Sequence, residues 1–87
     1  MQGGIAEYEE LIKKGVYRHF KGNFYEVVGL AYDSEDMSVK VVYRALYGEG
    51  ALWVRDARMW LEQVERDGVV RARFEFVGES EKKTNIE

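Results

Sequence analysis

The segment Tyr17-Arg18-His19-Phe20-Lys21-Gly22-Asn23 holds more chemistry than any other stretch of the sequence. Strand alternation puts Tyr17 and His19 on one face, and Val16, Arg18 and Phe20 on the other. Two cations, an imidazole, an amide and outward backbone N–H groups at a glycine could grip an anion. The plainer expectation for Lys21 and Asn23 is a solvated hairpin turn. His19 is the single histidine and would suit general-base work near neutral pH. It lacks a nucleophile to activate. There is no cysteine, and Ser34, Ser38, Ser80 and Thr84 fall in loops or the terminal segment. One histidine and no cysteine also leave a zinc site short of ligands. No catalytic residue, metal or cofactor is assigned.

Arg44 sits inside an apolar strand, and Glu26 in the neighbouring strand is its natural ion-pair mate. Its functional reading is a guanidinium held for an anionic ligand. Tyr47-Gly48-Glu49-Gly50 lies between two strands and lacks the helix and the Gly-Lys-Ser/Thr of a phosphate loop. Trp53 and Arg55 share a strand face, with Leu52 and Val54 on the face expected to meet the core. Nine of the twelve aromatics lie between Val16 and Trp60. Seven of them carry a polar tip suited to partial exposure. The candidate ligand set is therefore Tyr17, Arg18, His19, Lys21, Asn23, Tyr43, Arg44, Tyr47, Trp53 and Arg55. Rings would stack and guanidiniums would neutralise charge.

These residues need strands to hold them. A short amphipathic helix is expected within residues 1–14, with Tyr8, Leu11 and Ile12 on one face and Gly15 as the stop. Val16 to Phe20 and Phe24 to Ala31 form a hairpin around Lys21-Gly22-Asn23. Val39 to Leu46 and Leu52 to Arg55 follow, and Asp56 caps a short turn to Trp60. Asp67-Gly68 joins Glu62–Arg66 to one long strand, Val69–Val77. Residues 15–77 thus read as one β domain, and residues 78–87 as a polar tail. The fold class is mainly β: a small, strongly bent antiparallel sheet or an SH3-like barrel, with a short N-terminal helix.

Composition narrows the functions. The chain has 87 residues, no proline, a net charge of −3 and 46% hydrophobic residues. It is one small domain, not a disulfide scaffold, collagen or a disordered chain. Its acidity opposes whole-molecule attraction to nucleic acid or anionic membranes. No apolar run is long enough to span a bilayer, and the start, Met1-Gln2-Gly3-Gly4-Ile5, lacks the pattern of a leader, so a cytoplasmic location is expected.

Three segments together carry a resemblance. They are Tyr17-Arg18-His19-Phe20-Lys21-Gly22-Asn23-Phe24-Tyr25 with Val27-Val28-Gly29-Leu30-Ala31, then Val41-Val42-Tyr43-Arg44-Ala45-Leu46-Tyr47-Gly48, then Leu52-Trp53-Val54-Arg55 with Met59. From about Gly15 to Phe76 the chain resembles a bacterial family known as Domain of Unknown Function 1653. The resemblance implies a small cytoplasmic bacterial protein and brings no activity with it. The family often has a histidine before the Ser-Glu pair and a proline after Trp-Val-Arg. Here Asp33 and Asp56 stand in those places.

The expected function is a non-catalytic binding module. A peptide or an anionic small molecule is the first choice of ligand, and single-stranded nucleic acid a distant third. One alternative is a small enzyme in which His19 works with an acid such as Glu26. Another is a structural module that homodimerises through an exposed strand edge.

Overall fold

The computed structural model describes residues 4–80. The residues expected to form a tail begin within it: Gly78 closes the last strand, and residues 81–87 lie outside the described part. Helix α1 (Ile5–Leu11) is followed by strands β1 (Gly15–His19), β2 (Phe24–Tyr32), β3 (Val39–Ala45) and β4 (Leu52–Asp56). Then come a single helical turn, α2 (Ala57–Trp60), and strands β5 (Gln63–Arg66), β6 (Val69–Ala72) and β7 (Phe74–Gly78). Five strands form an antiparallel sheet in the order β4-β3-β2-β1-β7, and β5-β6 is a separate two-stranded ribbon.

The sheet is open, so the barrel version of the expectation is corrected. No ladder joins β4 to β7. The sheet is nonetheless strongly bent. In a flat sheet these two edges would stand about 19 Å apart, four strand spacings. Yet the Arg55 guanidinium on β4 lies 5.4 Å from the ring centroid of Phe74 on β7. Only a curled sheet brings those side chains together. Bulges help the bend: the β2–β3 register slips between Val27 and Gly29, and the β1–β7 register slips at Val16/Tyr17.

The core fills the concave face. Cross-strand register turns Tyr17, Tyr25, Val27, Val41, Tyr43 and Phe74 to that side. Trp60 from α2 plugs the hollow. Its indole stacks on Phe74 at 3.7 Å and meets Tyr43 and Tyr17 edge-on at 4.9 and 5.3 Å. Asp56 caps α2 as expected, its carboxylate accepting from the Arg58 N–H at 2.9 Å.

Three local expectations change. Helix α1 ends at Leu11, because Ile12 turns extended and drops into the core at 2% exposure. That swing leaves Leu11 63% exposed, not on the buried face. The strand expected over Val69–Val77 is two strands. Arg73 breaks it by donating its N–H to Glu62 C=O at 3.0 Å and accepting from Phe20 N–H at 2.9 Å. Leu52 and Val54 are 54% and 63% exposed, because they face the convex side, which no described element covers there.

Gly15 does not stop the helix; it starts β1. Its φ is +139°, and a Cβ there would lie 2.6 Å from the Gly78 carbonyl oxygen. Gly15→Ala should therefore part β1 from β7 and remove about 1–3 kcal/mol of stability. Urea unfolding checks this, and an unchanged midpoint would contradict it.

Candidate functional site

The ten sequence-selected residues divide between the two faces of the sheet. Tyr17 and Tyr43 are on the concave side but are 5% and 7% exposed, so they are core rings without a face to offer a ligand. The Tyr17 hydroxyl donates to Lys13 C=O at 2.8 Å, and burial outweighs that bond and pushes its pKa up. Tyr47 is exposed and shares a 2.8 Å hydroxyl–hydroxyl hydrogen bond with Tyr25. Burial and then that bond push Tyr25 up to about 12. Arg55 is half-buried over Phe74, with its Nε shielded and unbonded.

Arg18 and Arg44 occupy the convex face. Arg44 stands opposite Glu26 in register, but the expected ion pair is not made. Arg44 donates instead to Gly50 C=O at 3.0 Å, and Glu26 accepts from the Ser80 hydroxyl. Glu26 pairs with Val16 in the β1–β2 ladder, one face away from His19. The geometry therefore does not assemble a His19–Glu26 acid–base pair. Trp53 does not join the first hairpin either. It borders a shallow apolar depression of about 430 Å³ with Val42, Leu52 and Val54. That depression shares no lining residue with the cavity at His19.

What does assemble is a cleft at the first hairpin. Its volume is about 330 Å³, and Arg18, His19, Phe20, Val69, Arg71 and Glu75 are among its lining residues. Two elements build it. In the β1–β2 hairpin, the turn is closed by His19 N–H to Asn23 C=O at 2.8 Å and Gly22 N–H to His19 C=O at 2.7 Å. In the β5–β6 ribbon, Arg66 pairs with Val69 and Val64 with Arg71. Alternation then puts Arg66, Val69 and Arg71 on one ribbon face, toward the hairpin.

Phe20 is the hub. The Arg66 guanidinium and the Lys21 ammonium lie 5.4 and 5.9 Å from its ring centroid. Arg18 reaches Glu75 at 3.9 Å, with both side chains well exposed, so that contact is weak. Arg18 and Arg71 thus line the cleft with Glu75, and Lys21 and Arg66 flank it on the Phe20 ring. Of these four cations only Lys21 acts on His19. Desolvation is the first cause lowering its pKa, and the other causes are the positive charges of Arg55, Arg73 and Lys21. Its Nδ1 accepts the Lys21 N–H at 3.2 Å, which leaves Nε2 as the proton-bearing nitrogen of the neutral ring.

Sequence reasoning found Arg18, His19 and Lys21 but missed Arg66, Val69 and Arg71. The signal was present: a two-residue Asp67-Gly68 turn fixes the ribbon register and so the shared face. Among the described residues, no group of three or more His, Cys, Asp or Glu could hold a metal ion. No described helix is long and apolar enough to cross a membrane.

The fold is that of a small, open, curled antiparallel β domain. The model of DUF1653, a protein of unknown function, matches residues 15–76, so the chain belongs to that family. The chain is similar to the crystal structure of a DUF1653 protein from Bordetella bronchiseptica. The two share 36% identity with a TM-score of 0.75, over 85% of this chain and 97% of that one. No curated protein matches the chain.

Proposed function

We propose that the protein is a non-catalytic binding module whose hairpin–ribbon cleft takes a small polyanion. The observation that carries this reading is the charge imbalance around Phe20: Arg18, Lys21, Arg66 and Arg71 against Glu75 alone. Like charges held close repel one another, and an anion offsets that repulsion. Arginine forks fit phosphate and carboxylate oxygens in pairs. The Phe20 ring, flanked by cations, gives the cleft a rigid floor.

The imbalance is three positive charges, counting Arg18, Lys21, Arg66 and Arg71 less Glu75. A phosphate monoester brings about −1.5 to −2 at pH 7 and falls short. A diphosphate or a tricarboxylate matches better, and a doubly phosphorylated or acidic peptide is the macromolecular equivalent. Amide-shift titrations with pyrophosphate, citrate and an acidic peptide test the reading. Saturable shifts at Arg18, Phe20 and Arg71, fading with added salt, support it. Shifts absent there with all three probes would overturn it.

A further inference from the structure

Strand β4 is a sheet edge whose outer side pairs with no other strand among the described residues. Its sequence is Leu52-Trp53-Val54-Arg55-Asp56, and the chain contains no proline to block it. Leu52, Trp53 and Val54 are all more than half exposed. Natural edges are usually blunted by lysine, proline or a covering element.

The phase of the β3–β4 ladder says which backbone groups are free. Ala45 N–H donates to Ala51 C=O at 3.0 Å. Tyr43 faces Trp53 and Val41 faces Arg55 in the same register. Bonded pairs alternate along an antiparallel ladder, so Trp53 and Arg55 direct their N–H and C=O groups to β3. Leu52 and Val54 then direct theirs outward, to no strand of the sheet, as does the Asp56 N–H, while the Asp56 C=O is taken by the first turn of α2.

We infer that a second copy of this chain docks on that edge, β4 against β4, about a two-fold axis at Val54. This register is self-complementary. Val54 faces Val54 of the second copy in a doubly bonded pair, and Leu52 faces Asp56, whose N–H donates to Leu52 C=O at each end. Trp53 then stands opposite Arg55 in the closer, non-bonded pairs. Two otherwise unexplained features meet in this arrangement. The Trp53 indole shares a sheet face with Tyr43 yet is 55% exposed. The Arg55 guanidinium rests on Phe74 and makes no ion pair among the described residues. In the pair, each indole covers the open side of the other copy's guanidinium, and the sheet continues through ten strands.

Sedimentation equilibrium from micromolar to sub-millimolar protein tests this. The expected result is a reversible dimer. Val54→Lys should sediment as a monomer, with the thermal midpoint that the parent shows at concentrations where it too is monomeric, because the residue is exposed. Trp53→Ala should weaken the dimer about tenfold, as two cation–π contacts are lost. A monomer throughout, or a dimer indifferent to Val54→Lys, would overturn the inference, as would β4 pairing only with an added foreign strand. The hairpin cleft lies toward the other edge of the sheet, so Val54→Lys should leave pyrophosphate titrations unchanged.

Discussion

Trp60→Ala is expected to lose about 3–5 kcal/mol of folding stability. A domain of this size has only about 5–15 kcal/mol in total, so the variant should lose a large share of its stability and melt well below the parent. Trp60 is 2% exposed and stacks on Phe74 from β7 while touching Tyr43 from β3 and Tyr17 from β1. It is the one side chain of α2 that ties three strands of an open sheet, and no ladder closes that sheet in its place. Trp60→Phe should be milder than the alanine change, since the buried indole N–H has no acceptor to lose. Circular dichroism melts of the two variants check the order. An alanine variant melting within a few degrees of the parent would contradict this view of the core.

The second large effect concerns the cleft. The double reversal Arg66→Glu and Arg71→Glu should weaken pyrophosphate binding by at least about 100-fold, because two charge-assisted contacts become repulsive. Stability should change by less than about 1 kcal/mol, as both side chains are exposed and the Arg66 contact with Phe20 is a surface one. Isothermal titration paired with urea unfolding separates the two outcomes. Retained affinity would place the anion elsewhere.

Much of the fold was legible because local rules agreed with the tertiary structure. Asp67-Gly68 turned where its backbone preference required, with φ values of 55° and 78°. Asp56 capped α2. Long-range choices were not legible. Nothing local distinguishes a closed barrel from a curled open sheet; that depends on whether β4 meets β7. Nor does the sequence show that Arg73 would bridge Glu62 and Phe20 and so split the last strand. Alternation separated Arg18 from His19 correctly. For β4 it chose the wrong pair as buried: Leu52 and Val54 are the more hydrophobic, but the core lies on the face of Trp53 and Arg55. The cleft was half legible. Its hairpin side stood out by residue type, whereas its ribbon side required pairing Arg66 with Val69 across a turn before the two arginines could be placed together.

The first hairpin carries positive charge that the proposed anion would relieve, and His19 beside it feels that charge through Lys21. Its ring-proton signal, followed by NMR from pH 5 to 8, should titrate below the ordinary 6.5, because desolvation and neighbouring cations disfavour imidazolium. The unfolded chain then binds the proton more readily than the folded one. This group's contribution to stability is therefore complete above pH 6.5 and is lost as the pH falls below it. Bound pyrophosphate should raise the midpoint, since a nearby anion favours imidazolium. A midpoint that stays fixed at saturating pyrophosphate would contradict the account.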